Sequence, residues 1–289
     1  MRYLITHRTE YEYSEIVSCS HNEARLLPRS SPSQICHAAS IRVVPEPIDY
    51  SERADFFGNR AAYFFIGEPH KRFCVVATSE VEVIAARQMD FSNLMQWESA
   101  RDCLTDSPDA LQYALDSPYV ERSEQLAAYA QPSFFRERPL IDAVNDLMRR
   151  IHVEFTYDPG FTTLATPLSE VMSHRRGVCQ DFAHLAIGCL RSMGLAARYV
   201  SGYIETLPAP GCEKLVGADA SHAWFSVHVP EHGWMDFDPT NNQVPSERHI
   251  VLAWGRDYGD VAPLKGVIFG GGEHELDVSV DVRAIVASS

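Results

Sequence analysis

The sequence predicts an α+β protein, with an N-terminal antiparallel β domain ahead of a second unit that runs from helices into strands. Three observations predict it. Residues 1–90 hold short alternating or Val-rich runs punctuated by Pro, Gly and Asn, the pattern of antiparallel strands joined by turns. Residues 91–150 then become rich in the good helix formers Leu, Ala, Glu, Gln and Arg. Beyond Gly194, three more strand-like runs follow a dense apolar helix. We therefore expect one domain over 1–90 and a larger one over 91–289.

Taken in order, 2–13 alternates, with Tyr3, Ile5, His7, Thr9, Tyr11 and Tyr13 on one face. Ile35–Val44, Arg60–Ile66 and Phe73–Ala85 are further strand candidates, and Pro28, Pro32, Pro45, Pro47 and Gly58-Asn59 mark the turns between them. Pro108, Pro118, Pro132 and Pro139 cut the next stretch into short helices. Leu140, Val144, Leu147 and Ile151 recur at helical spacing over 139–151. A helix is predicted to begin at about Cys179, to run through the apolar residues 182–190, and to stop at Met193-Gly194. Strands are expected over 196–204, 222–229 and 233–238. A last alternating strand, 276–286, is free to return to either sheet.

The charge balance narrows the partners. Lys and Arg number 25 against 39 acidic residues, a net charge of −14, and the sequence pI is about 5.3. Nucleic acid and anionic membrane surfaces both call for a basic face, so neither is expected as a partner. No run approaches the ~20 apolar residues of a membrane span, and 1–13 lacks the apolar core of a signal peptide. The seven cysteines form no C-x-x-C pair, which argues for dispersed reduced thiols rather than a zinc ribbon or disulfide scaffold. A cytoplasmic protein without metal or cofactor is the expectation.

Cys179 is the first residue with chemistry to weigh. A thiol at a helix start faces unsatisfied N–H groups and the positive end of the helix dipole, which favours the thiolate. Arg175 and Arg176 bring further positive charge close in sequence. The bland alternative is a buried structural cysteine, and Cys189, mid-helix among Ile187, Leu190 and Met193, fits that description.

A nucleophilic sulfur needs a base, and the base needs an orienting group. His222 opens the strand 222–229. Alternation sends Ala223, Phe225 and Val227 to one face and His222, Trp224, Ser226 and His228 to the other. His228 lies roughly 20 Å further along at ~3.3 Å per residue, too far to share a site. The short 230–232 link makes a hairpin with 233–238, which offers Asp236 and Asp238 on one face. Pairing outward from that turn puts Asp238 nearer the level of His222.

These residues carry a family resemblance. Gly-Val-Cys-Gln-Asp-Phe-Ala (177–183), Ala-Arg-Tyr-Val-Ser-Gly-Tyr (197–203), Asp-Ala-Ser-His-Ala-Trp (219–224), Asp-Pro-Thr-Asn (238–241) and the stretch 255–266 together resemble the bacterial transglutaminase-like family, whose members are commonly assigned as cysteine proteases. The resemblance spans nearly the whole chain. It implies a papain-like transglutaminase core, in which a nucleophile helix packs on an antiparallel sheet. It also implies a Cys-His-Asp triad at Cys179, His222 and Asp238, acting on a peptide or protein substrate.

The same triad serves water or an amine as acceptor, so hydrolysis and protein cross-linking both stand. The absence of a D-x-[DN]-x-[DN]-G calcium loop leans toward hydrolysis. A non-catalytic binding module on the same fold is the rival class. A metal site built from Cys179, His222 and a carboxylate is a third, and the lack of short ligand spacing speaks against it.

Overall fold

A computed structural model describes residues 1–84, 95–163, 166–206 and 221–285. The expected domain boundary at 90/91, Cys212, and motif residues Asp219 and Ala220 lie outside the described residues. The strands of the first domain are β1 (Arg2–Leu27), β2 (Gln34–Val44), β3 (Asp49–Ala54), β4 (Arg60–Ile66) and β5 (His70–Val83). Short helices α1 (Trp97–Asp102), α2 (Pro108–Leu111) and α3 (Glu124–Ala130) follow, then the longer α4 (Leu140–Glu154). The remainder comprises β6 (Thr156–Tyr157), α5 (Leu168–His174), β7 (Arg176–Gly177), α6 (Cys179–Ser192), β8 (Ala197–Ile204), β9 (Ser221–Val229), β10 (Gly233–Phe237), β11 (His249–Gly255), α7 (Tyr258–Val261), β12 (Leu264–Gly270) and β13 (His274–Ala284). The protein is α+β, as its sequence predicts.

β1 organises the N-terminal sheet because it is long enough to serve two sets of neighbours. Its first half lies between β5 and β13, and its second half between β4 and β12, all antiparallel. The alternating face 3–13 is turned inward, with Tyr3, Ile5, His7, Thr9 and Tyr13 buried. The C-terminal strand thus returns to the N-terminal sheet, and β12 precedes it there. β3, with every residue exposed, has no burial alternation to betray it in the sequence.

The second sheet has the order β10-β9-β8-β11. α6 lies on one of its faces. Eleven residues of α6, from Asp181 to Arg191, are buried, so its apolar character runs all round, as expected of a helix enclosed on every side. Phe182, Leu185, Ala186 and Cys189 join Ala223, Phe225 and Val227 of β9, and Ala143, Val144 and Leu147 of α4, in one core.

The two sheets meet along β11. Gln34, 1% exposed, donates from Nε2 to the Val251 carbonyl and accepts from the Val251 N–H on Oε1, each at 2.8 Å. Asn59 does the same to Trp254, at 2.8 and 2.9 Å. Two side-chain amides therefore stand in for the missing neighbour of an edge strand, whose backbone groups need partners when buried. His7 Nδ1 lies 2.8 Å from the Tyr203 hydroxyl of β8, and the Arg29 guanidinium stacks 3.1 Å above the Trp254 ring. Among the described residues no helix is long and apolar enough to cross a membrane.

Candidate active site

The start of α6 is built around Asp181. Its carboxylate, one turn into the helix, accepts the Val178 N–H at 2.8 Å and the Thr162 hydroxyl at 2.7 Å. This satisfies one of the orphan donors at the helix end. A Cβ on Gly177 would lie 2.8 Å from both Cβ and Oδ2 of Asp181, so only glycine lets the approach loop pass this close. The two-residue pairing of β6 with β7 sets Tyr157 opposite Gly177. Cys179 is the first helical residue and is half-buried. Its N–H has no acceptor within the helix.

Arg175 and Arg176 do not charge the sulfur's surroundings as their sequence position suggests. Arg175 pairs with Glu154 at 2.5 Å, and Arg176 pairs with Asp158. Cys189 is fully buried and its thiol is pushed up by desolvation, which makes it inert. The six described cysteines are free.

β9 brings His222 to the sulfur, and the β9–β10 hairpin brings the carboxylate to His222. Asp236 pairs with Ser226 and Phe237 with Phe225, so Asp238 continues toward the start of β9. His222 Nε2 lies 2.8 Å from Asp238 Oδ2, while Asp236 is occupied by the Ser226 hydroxyl. The Cys179 thiol is among the groups that raise the His222 imidazole, which sets the sulfur beside that ring. Nε2 is engaged with Asp238, which leaves Nδ1 as the nitrogen open to another partner. His222 is only 8% exposed and Asp238 not at all.

Asp238 is held as an anion by five donors. Oδ2 accepts from His222, from Asn241 Nδ2 at 2.7 Å and from His249 Nε2 at 3.1 Å; Oδ1 accepts from the Thr240 and Asn241 N–H groups at 3.0 and 3.2 Å. Burial alone would push this carboxyl up, but hydrogen bonds from His222, His249 and Asn241 outweigh it and hold the group well below the usual carboxylate range. At His222, burial works against the charged ring. The hydrogen bonds to Asp238 and Cys179 overcome it and raise the imidazole to about 10.

Other residues singled out in the sequence fall elsewhere. His228 lies at the far end of β9, packed edge-on to Trp234. Trp224 is wholly buried and meets His249 edge-to-face at 5.3 Å, so it packs and does not line an open groove. The face of β9 that carries it is covered as completely as the face against α6. His184 is buried and accepts the Tyr258 N–H at 3.1 Å. Tyr157 is 53% exposed and pairs with Gly177, two residues before Cys179; burial and the nearby Cys179 both raise its hydroxyl.

His249 is the residue that sequence reasoning missed. It heads β11, a short apolar run ending at Gly255, and that run was the available signal. His222, Asp238 and His249 offer ligand atoms within 4.8 Å of one another, a spacing that invites a metal reading. The Ser246 N–H, however, donates to His249 Nδ1 at 3.3 Å. Nδ1 is thereby the acceptor and Nε2 carries the proton, so no lone pair faces the cluster from that ring.

Comparison with known proteins agrees with this architecture. The bacterial transglutaminase-like N-terminal region matches residues 3–82, and the transglutaminase-like superfamily model matches residues 127–239. An uncharacterized protein of Mycobacterium tuberculosis is 44% identical over 289 residues, 97% of this chain and 92% of that protein. The protein-glutamine γ-glutamyltransferase of Pseudomonas aeruginosa is 31% identical over 186 residues, 57% of this chain and 27% of that protein. The crystal structure of a candidate cysteine protease from Cytophaga hutchinsonii has the same fold, with a TM-score of 0.77 at 24% identity, over 100% of this chain and 92% of that one. These matches, together with a helix packed on an antiparallel sheet and a β-rich N-terminal region, place this chain in the bacterial transglutaminase-like family.

Proposed function

We propose that the protein is a thiol-dependent acyl-transfer enzyme, with Cys179 as nucleophile, His222 as base and Asp238 as its orienting anion, and that it hydrolyses a peptide or amide bond. One observation carries the reading: a single buried imidazole is engaged by a buried carboxylate on Nε2 and is raised by the Cys179 thiol as well. An imidazolium beside the sulfur favours the thiolate. The thiolate attacks the amide carbonyl and forms a tetrahedral oxyanion, which the Cys179 N–H at the helix start is placed to stabilise. His222 passes its proton to the leaving amine, and the thioester that remains is opened by water activated by the same ring.

A second reading, transfer of the acyl group to an amine, is favoured by the likeness to the Pseudomonas γ-glutamyltransferase. We favour water because the sequence has no calcium loop of the kind a calcium-dependent cross-linker would carry. A cytoplasmic location without nucleic-acid or membrane partners completes the proposal. The test is turnover of a peptide library with and without an added primary amine, by wild type and Cys179→Ala. Cleavage that depends on Cys179 and ignores the amine supports hydrolysis. Amine incorporation supports the second reading, and no Cys179-dependent product from either arm overturns both.

A further inference from the structure

The triad does not end at Asp238. We propose that His249 is a positioning residue, a fourth member of the chain that runs Cys179, His222, Asp238, His249, and that it fixes the carboxylate against the imidazole. The proposal rests on the thiol-enzyme reading above.

The geometry carries it in three steps. First, the tautomer of His249 is set from outside the site: the Ser246 N–H points at Nδ1 at 3.3 Å, so the proton sits on Nε2. Second, that N–H aims at Asp238 Oδ2 at 3.1 Å, the same oxygen that accepts from His222. Third, the ring cannot turn away. It is 4% exposed and is wedged edge-to-face on Trp224 at 5.3 Å. The backbone that follows it is clamped at Val251 by Gln34. A carboxylate whose Oδ2 is held from two sides by imidazoles has little freedom to rotate about χ2. The His222 ring inherits that order, because its orientation is read from Oδ2.

Among the described residues, Asp238 and His222 face the His249 ring from the hairpin, Trp224 meets it edge-to-face from β9, and the Ser246 N–H donates to its Nδ1; Glu247 and Arg248 precede it in the chain.

The effect on catalysis is indirect and therefore separable from packing. Without the His249 donor, Asp238 keeps His222, Asn241 Nδ2 and two backbone N–H groups, but Oδ2 loses one of the two imidazoles that set its angle to His222; the limit of that loosening is a Cys179 that behaves as an ordinary thiol. At pH 7 an ordinary thiol is only about 3% thiolate, which limits the loss of reactivity to roughly 30-fold. By pH 9 such a thiol ionises without help, and the deficit closes.

The experiment compares wild type, His249→Leu and His249→Gln, reading the alkylation rate of the Cys179 peptide by mass spectrometry at pH 7 and pH 9. The glutamine can place an amide N–H where Nε2 was; the leucine cannot. We expect His249→Leu to lose about 10-fold at pH 7 and less than about twofold at pH 9, with His249→Gln within about threefold of wild type at both. The Nε2 proton of His222, followed by NMR on 15N-histidine protein, should remain sharp in the glutamine variant and broaden in the leucine variant. Equal rates in all three proteins overturn the proposal. So does an equal, pH-independent loss in both variants with the His222 signal unchanged, which marks His249 as packing only. A wild-type Cys179 no faster than the half-buried Cys103 overturns the thiol-enzyme reading instead, and the NMR comparison still decides the hydrogen-bond chain.

Discussion

Replacing Asp238 by Asn exchanges one heavy atom and disturbs five hydrogen bonds. The carboxylate accepts on Oδ2 from His222, His249 and Asn241, and on Oδ1 from two backbone N–H groups. An amide keeps one acceptor. If its oxygen takes the place of Oδ2, its NH2 confronts the Thr240 and Asn241 N–H groups. If it flips, the NH2 confronts His222, which must then offer the Nε2 lone pair and carry its proton on Nδ1, facing the sulfur. That tautomer cannot take the thiol proton. In the first orientation two buried donors are left without acceptors, which at ~1–3 kcal/mol each gives a stability loss of about 2–6 kcal/mol. The wrong tautomer predicts a fall in turnover of about 10³-fold or more.

The pH dependence supplies an independent sign. Asp238 has a lowered pKa in the folded protein, so its stabilisation is present above the ordinary value of 3.8 and is lost as pH falls below it. Urea unfolding of wild type and Asp238→Asn should therefore show a gap at pH 7 that narrows as pH falls below about 4. A variant keeping a tenth of wild-type turnover, or a stability gap that stays constant into acid, would refute this account of Asp238.

The remaining expectations concern the scaffold and the base. Gln34→Leu leaves the N–H and C=O of Val251 without their partners and should lower stability by about 2–4 kcal/mol in urea; a loss below about 0.5 kcal/mol would mean water satisfies that edge. Gly177→Ala drives a Cβ to within 2.8 Å of Asp181 and should slow Cys179 alkylation by disturbing the start of α6, whereas an unchanged rate would show that the loop gives way freely. His222→Ala should cut turnover far more than His228→Ala, because His228 faces Trp234 at the other end of β9; equal losses would count against the assignment of the base.

How far the sequence carries depends on whether a feature is local. The start of α6 is local: Gly177, Cys179 and Asp181 lie within one turn, and their roles follow from helix-end chemistry. The hairpin is local too, since counting outward from its short turn favours Asp238 over Asp236 as the neighbour of His222, and the observed Phe237–Phe225 register agrees. The partners of β11 are not local. Nothing in Gln34 or Asn59 announces that their amides will bond a strand some two hundred residues away. His249 reaches Asp238 only because β11 is held at that edge. The same reason hides the ion pairs of Arg175 and Arg176, whose acceptors Glu154 and Asp158 precede the nucleophile loop by a full helix-and-turn segment. β3 escaped for a different cause: an exposed edge strand has no buried face to impose a period of two.

The central claim is that one imidazole, fixed by a buried carboxylate, turns Cys179 into a strong nucleophile. Alkylation of wild type by iodoacetamide at pH 6, resolved cysteine by cysteine by mass spectrometry, tests it most directly. The account predicts that Cys179 reacts at least about tenfold faster than the other accessible thiols, that His222→Ala removes this advantage, and that Cys189 stays unlabelled in the folded protein. Labelling of Cys179 at the rate of an ordinary thiol, unaffected by His222→Ala, would contradict it.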